Sequence, residues 1–229
     1  MTTHRVIPSA TIVVPESEVE LYEELTGRED LVPIPDEYEG GAAVSNWCLD
    51  HFEDECLILM DDDISGCFSI GAGYDRGRWL TRDEILHVLE VTTVCAYDVG
   101  VTLFGFNEAF DRRKFQDTDP FKLSGRCGGG VMGVIGREYR LDDMLRTRYS
   151  VDFALQHLLK DRIVWVERRY LFAQKQETNA GGDTLFRSTA RVARDEARVK
   201  EKWGRFVSMR MGKGIYQTKI NVPRRQPGG

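Results

Sequence analysis

The spacing of apolar positions changes period several times along the chain, and each change marks an element. Ala10-Thr-Ile-Val-Val14 is a β-branched run that stops at Pro15, which predicts a strand with an abrupt end. Residues 18–25 follow a helical pattern closed by Gly27, and residues 31–35 form a short extended piece. Gly40-Gly41 opens a second helix over residues 43–52. Cys56-Leu-Ile-Leu-Met60 is apolar at every position, the pattern of a strand covered on both faces. Further on, Ile85, Leu86, Leu89 and Val94 mark one face of a helix over residues 82–97, followed by a strand at 101–106. Residues 110–124 are polar and aromatic without period, so a loop is expected. A strand is expected after Gly128-Gly-Gly130, a short helical turn over 141–146, a helix over 151–159 and a strand over 162–166. Residues 178–183 read as a loop before a charged helix, and 206–211 with 215–222 as a closing hairpin around Gly212 and Gly214. Strands alternating with helices predict an α/β fold with a mostly parallel sheet. No composition shift separates two domains, so one domain is expected over 1–222, with a mobile tail over 223–229.

Composition excludes several classes. The chain has 229 residues, 41% of them hydrophobic and 30% charged, which suits one packed domain and neither a disordered nor a collagen-like chain. No run approaches the ~18 apolar residues of a membrane span, and residues 1–8 hold no apolar signal core. No membrane association and a cytoplasmic location are therefore expected. The five cysteines (48, 56, 67, 95, 127) are odd in number and form no CxxC pair, as expected for small buried thiols in a reducing compartment.

Charge is unevenly distributed. The net charge is −6, yet residues 187–229 hold twelve Lys or Arg against three acids. A basic end on an acidic body is a candidate polyanion-binding face. Arg187, Arg191, Arg194, Arg198 and Lys202 recur at helical spacing as one stripe, and Val192, Val199, Trp203 and Phe206 form an apolar stripe that would dock the helix. The basic stripe suits phosphate contacts to a nucleic acid; it suits equally a solvated face paired with nearby acids.

Asp61-Asp62-Asp63 follows the apolar strand directly. Ligands of open α/β sheets bind beyond the carboxyl ends of strands. Three adjacent carboxylates repel one another unless a cation lies among them, and a hard divalent ion, Mg²⁺ or Mn²⁺, suits oxygen ligands. Side chains alternate along extended backbone, so Asp61 and Asp63 share one side and form a DxD unit. Such a unit can hold a metal on a diphosphate, while a neighbouring carboxylate, Asp61 or Asp62, bonds a ribose or sugar hydroxyl.

These residues resemble a known family. The first strand with Pro15 and Glu16, Ser45-Asn46 on the following helix and "LILMDDDI" are similar to GT-A-type glycosyltransferases. "GFN" at 105–107, "GGGVMGVIGR" at 128–137, "VDFALQHLLKD" at 151–161, "TNAGG" at 178–182 and "YQTKINVPR" at 216–224 narrow the likeness. They resemble the glycosyltransferases associated with TET/JBP-type DNA dioxygenases, relatives of the base-J glucosyltransferase. The resemblance implies a GT-A-like, Rossmann-type domain with a nucleotide-sugar half (1–100) and an acceptor half (101–222). It also implies a UDP-sugar donor, a Mn²⁺ or Mg²⁺ cofactor, and a 5-hydroxymethylpyrimidine of DNA as acceptor. Such enzymes are typical of bacteriophages, which would place the protein in the host cytoplasm.

The donor's nucleotide is expected against Pro15, Glu16, Ser17, Arg28, Asp36, Ser45 and Asn46, with Asn179, Gly181 and Gly182 lining the sugar. Gly128, Gly129 and Gly130, with Arg187, Arg191, Arg194 and Arg198, are candidates for acceptor and DNA contacts. Inverting relatives often carry a Glu-Asp pair at the head of the helix that here begins near Val151. This chain has Tyr149-Ser150 there and keeps Asp152, which becomes the candidate general base, ahead of Asp183 and Asp143. Trp79, Phe110, Phe115 and Phe121 are candidates to stack on an extruded base. Two other functions fit parts of the pattern. A sugar-phosphate nucleotidyltransferase shares the sheet and the metal, but the loop after its first strand is normally rich in Gly and basic residues, whereas here it is Pro15-Glu-Ser-Glu18. A non-catalytic nucleic-acid-binding protein on a degenerate fold is the other.

Overall fold

A computed structural model of the chain describes residues 2–70, 77–107, 118–128, 130–175, 188–212 and 215–223. The elements in order are α1 (Thr3–Val6), β1 (Val13–Pro15), α2 (Val19–Thr26), β2 (Val32–Ile34), α3 (Gly41–His51), β3 (Cys56–Met60), β4 (Ile64–Ser69), β5 (Arg78–Trp79), α4 (Arg82–Val99), β6 (Leu103–Asn107), β7 (Phe121–Lys122), β8 (Val131–Ile135), α5 (Tyr149–Lys160), β9 (Trp165–Gln174), α6 (Thr189–Trp203), β10 (Val207–Gly212) and β11 (Ile215–Ile220).

The central sheet has the order β3-β8-β6-β9-β4-β5, with β7 also paired to β9. Along that path β3, β6, β9 and β5 run in one direction, and β8 and β4 run against them. Strand direction is thus mostly shared, as an α/β fold requires. Among neighbours, however, β6 and β9 are the parallel pair and the other ladders of this sheet are antiparallel. The two reversed strands separate those that run together.

Alternation along the strands builds the two layers. Phe104 and Phe106 of β6 and Val131 of β8 face one cluster, while Leu103 of β6 and Met132 and Val134 of β8 face another. The first face is covered by Ile85, Val88, Leu89 and Ala96 of α4. The second is covered by Ala42 and Leu49 of α3 and by Phe153, Ala154 and Leu158 of α5. Helix α4 is well delimited: Thr81 and Glu84 cap each other's backbone amides, and Gly100 ends it in the left-handed region at φ 73°.

Several expectations need correction. Strand β3 has the expected bounds and packs Cys56, Ile58 and Met60 against one cluster and Leu57 and Leu59 against the other. It lies at the sheet edge, however, paired among the described residues to β8 alone, so its five residues are half-buried where full burial was expected. Strand β7 lies within the stretch expected to be a loop, and β4 was hidden because Ser65 and Gly66 interrupt its apolar pattern. Residues 141–146 form turns and not a helical segment. The five cysteines are free thiols, three buried and two half-buried, as expected. Among the described residues no helix is long and apolar enough to cross a membrane.

Candidate functional site

Strands β3, β6 and β9 end at one edge of the sheet, at Met60, Asn107 and Gln174. Helix α5 ends at the opposite edge, where Thr102, just before β6, donates to Asp161 at 2.7 Å. The N-terminus of α5 therefore points to the edge that carries Asp61-Asp62-Asp63. From Met60 to Ile64 the chain can extend by about 14 Å at most. A flat sheet would put β3 and β4 further apart than that, since β8, β6 and β9 lie between them. The sheet must therefore curl until the tops of β8 and β9 meet. They do: a Cβ built on Gly130 would lie 2.5 Å from the Gln174 amide nitrogen and 3.0 Å from Ile64 Cδ1.

The acidic segment is fixed at all three of its carbonyls and at the Asp61 amide. Asp61 N donates to Gly130 O at 2.8 Å, and Thr3 Oγ1 donates to Asp61 O at 2.6 Å. The amides of Thr2 and Thr3 donate to Asp62 O at 2.9 and 3.2 Å, and Lys175 N donates to Asp63 O at 3.0 Å. Ile64 N closes the set by donating to Thr3 Oγ1 at 3.0 Å. Bonding of this kind holds the carboxylates in place before any ligand arrives. Asp61 and Asp63 do come together, but through a turn at Asp62-Asp63 and not through the extended backbone expected of them. The Gln174 amide nitrogen lies 2.6 Å from Asp61 Oδ2 and 3.2 Å from Asp63 Oδ1, so both carboxylates converge on one point.

The donor set at that point suits a hard divalent ion. It offers two carboxylate oxygens and an amide, and the described residues contain no group of three His, Cys, Asp or Glu side chains able to hold a metal. Mg²⁺ is typically held by one or two carboxylates, with phosphates and water completing its octahedron. The residues present therefore fit a cation shared with a substrate diphosphate.

The expected nucleotide edge is partly assembled. Pro15 ends β1 and pairs with Ile34 of β2. Ser17 donates to Asp36 Oδ1 from its amide at 3.1 Å and its hydroxyl at 2.9 Å. Glu16 is exposed and Ser45 half-buried. Arg28 and Asn46 have structural partners. The Arg28 guanidinium clasps Asp30 through two bonds of 2.7 Å and donates to Pro8 O and Ala10 O. The Asn46 amide pairs with the Leu141 backbone in both directions at 2.9 Å, as a strand residue would. Asn179, Gly181, Gly182, Gly129, Arg187, Asp183, Phe110 and Phe115 lie outside the described residues. Of the remaining aromatics, Phe121 stacks on Trp165 at 4.0 Å, while Trp79 stays largely exposed beside Phe68. Asp143 is exposed.

Asp152 takes a different place from the one expected of a base. It is fully buried in the first turn of α5. Its Oδ1 accepts from Trp203 Nε1 at 2.7 Å and lies 2.7 Å from the Lys202 ammonium, and its Oδ2 accepts from Gln156 at 2.8 Å. A carboxylate held by three donors and shut off from solvent is an anchor between α5 and α6. It reaches a substrate proton only if that junction opens.

The basic stripe stays at the surface, but three of its residues are paired with acids of the protein. Arg198 bonds both oxygens of Asp142 at 3.2 Å, Lys202 reaches Asp142 at 3.4 Å, and Arg191 lies 3.8 Å from Asp195 one turn on. Arg194 is exposed. Two acids of the same helix point inward: buried Asp195 accepts from Thr147 N at 2.6 Å and Thr147 Oγ1 at 2.8 Å, and buried Glu196 pairs with Arg148 at 3.1 Å. They grip the turn before α5, where Arg148 adopts a left-handed φ of 65°, uncommon for a side-chain-bearing residue. Helix α6 therefore braces the N-terminus of α5. Arg126, which spacing did not single out, is also drawn in: burial first, then the nearby Arg148, push its guanidinium below the usual arginine range.

A buried polar network at the far edge has a measurable consequence. His157 is fully buried against Tyr139 and Phe153, with Nδ1 2.8 Å from Thr102 Oγ1, and Tyr139 donates to Asp161 at 2.6 Å. Burial lowers the His157 pKa to about 4, against a smaller opposing pull from Asp161. The unfolded chain takes up this proton below about pH 6.5, and the folded protein resists until about 4. Stability is thus fully present above 6.5 and falls through that window, by about 3 kcal/mol in all. Melting temperatures measured from pH 7.5 to 4.5 should fall, and His157→Gln should flatten the slope.

With the geometry in place, the family comparison decides what the fold is used for. The model for TET-Associated Glycosyltransferase matches residues 3–182. The chain belongs to this family. No curated protein and no solved structure matches the chain significantly. This TET-associated glycosyltransferase is thus an enzyme that takes sugar from a nucleotide-sugar donor to an acceptor. The match begins at Thr3, the residue that ties down the acidic segment, and ends before α6. The brace formed by α6 and the β10/β11 hairpin lies beyond it, yet Val199, Val207, Trp203 and Ile220 pack against Val151 and Leu155 of α5.

Proposed function

We propose that the protein is a metal-dependent transferase that moves a sugar from a UDP-sugar to the hydroxyl of a 5-hydroxymethylpyrimidine in DNA. The observation that carries this reading is the convergence of Asp61 Oδ2 and Asp63 Oδ1 on one point at the carboxyl edge of the sheet. A divalent ion bound there neutralises a diphosphate and makes it the better leaving group. The chain's own contribution is to hold the two carboxylates rigid through Thr3, Gly130 and Lys175, so that little reorganisation accompanies binding. Ser17 and Asp36, joined at the β1/β2 edge, support the nucleotide.

The acceptor alcohol has a high pKa and must pass its proton to a base as it attacks the anomeric carbon. We assign Asp152 the anchoring of α5 and leave the proton to a carboxylate nearer the acidic edge. The DNA acceptor rests on the family's association with TET-type enzymes and on the excess of basic residues after residue 187. Arg191, Arg198 and Lys202 are paired with acids of the protein, so exposed Arg194 is the described member of the stripe best placed to meet a phosphate. The test is direct. Hydroxymethylated DNA is incubated with the protein, Mn²⁺ and a panel of nucleotide sugars, and its nucleosides are analysed by mass spectrometry. A hexose-sized mass gain on the hydroxymethylpyrimidine is expected, and unchanged nucleosides with every donor would refute the reading.

A further inference from the structure

Gln174 is the residue on which the acidic site closes, 113 positions from Asp61 in sequence. Its amide nitrogen donates at 2.6 Å to Asp61 and 3.2 Å to Asp63. One NH₂ group with two hydrogens thus occupies the point between two carboxylates that a cation would take. Gln174 ends β9 and is paired to Ile64, the first residue after the acidic segment, so both sides of this contact are held by the same ladder. Space for the amide is made by Gly130, where a Cβ would come within 2.5 Å of Gln174 Nε2 and 2.8 Å of Gln174 Cδ. Gly130 also has a left-handed φ of 79°, so both sterics and backbone select glycine there.

A carboxamide has two faces. Its NH₂ end is a donor and satisfies two carboxylates; its oxygen end is a hard acceptor of the kind that binds Mg²⁺ and Mn²⁺. The two ends exchange by rotation about the last side-chain torsion, which is soft and roughly two-fold. We propose that Gln174 is a positioning residue for the cation, built into the site as a two-state amide. Without metal, its NH₂ end bridges Asp61 and Asp63 and offsets their repulsion. With metal, the amide turns over and its Oε1 becomes the third oxygen ligand from the protein. This inference rests on the metal-dependent reading above and names the residue that completes that site. It also accounts for Gly130 as the glycine that admits the amide.

The experiment is Mn²⁺ binding, followed by electron paramagnetic resonance of the free ion, together with melting of the metal-free protein. Wild type, Gln174→Leu, Gln174→Glu and Asp63→Asn are compared with Mn²⁺ alone as the probe. Gln174→Leu should bind Mn²⁺ about tenfold more weakly and melt lower without metal. Gln174→Glu keeps an oxygen ligand but loses the donor. It should bind Mn²⁺ at least as tightly as wild type and yet melt lower without metal, because three carboxylates then face one another. An amide that merely braces the site would not behave this way: removing it would leave Mn²⁺ affinity unchanged or raise it. Unchanged or tighter binding by Gln174→Leu, or weaker binding by Gln174→Glu, overturns the proposal. If Asp63→Asn loses Mn²⁺ while Gln174→Leu retains it, only the role of Gln174 falls. If wild type binds no Mn²⁺, the metal-dependent reading falls with it.

Discussion

Asp63→Ala should abolish the effect of Mn²⁺ on UDP-sugar binding and reduce transfer by about a thousandfold or more. Two carboxylates converge at the site, so losing one removes half of the anionic protein ligands for a shared cation. A cation's stabilisation of a developing diphosphate is worth several kcal/mol, and each 1.4 kcal/mol is about tenfold in rate. The fold should not suffer. The Asp63 bond that matters to the backbone runs from Lys175 N to Asp63 O, which alanine retains. Removing the carboxylate also relieves repulsion from Asp61, so the melting temperature should hold or rise. Titration calorimetry with and without Mn²⁺, paired with a melt, reads both effects. A variant that stays fully Mn²⁺-responsive would remove the acidic segment from the mechanism.

Asp152→Ala should act in the opposite way, lowering stability by about 3 kcal/mol. The change leaves the Trp203 indole without its Asp152 acceptor, takes one partner each from the Lys202 ammonium and the Gln156 amide, and opens a cavity at the first turn of α5. For a chain of this size the loss corresponds to a fall in melting temperature of roughly 6–12 °C. The milder Asp152→Asn separates anchoring from proton transfer. Its amide oxygen still accepts from Trp203, so the fold should persist and the acidic limb of the pH–rate profile should remain. A general base replaced in this way would lose about 10²–10⁴ in kcat together with that limb. Loss of the limb without loss of stability would return the base role to Asp152.

Elements with an unbroken period were legible in the sequence. Strand β3 has the residues its apolar run predicts, and α6 and the β10/β11 hairpin fall where charge spacing and glycines put them. The family resemblance followed from motifs in order along the chain, whereas Asp61 and Asp63 meet through a turn at Asp62-Asp63 between β3 and β4 and not through the alternation of extended backbone. What went unread has a common cause. Strand β4 has small or polar residues where a pattern would need apolar ones, and β7 is only two residues long. The edge position of β3 depends on which strand pairs beside it, and periodicity does not carry that information. The basic stripe was visible, but its partners were not: Asp142 and Asp152 lie 56 and 50 residues before Arg198 and Lys202.

Local chemistry alone therefore determined the α/β alternation and the acidic triplet at the end of a strand. These properties depend on backbone geometry and on residues a few positions apart. Only the folded chain decided that an amide from the end of β9 meets both carboxylates, that Gly130 clears its path, and that the charge of α6 turns inward to hold α5. Each of those depends on a contact between distant segments, set by the sheet's curl and by the energetic demand that buried charge find a partner.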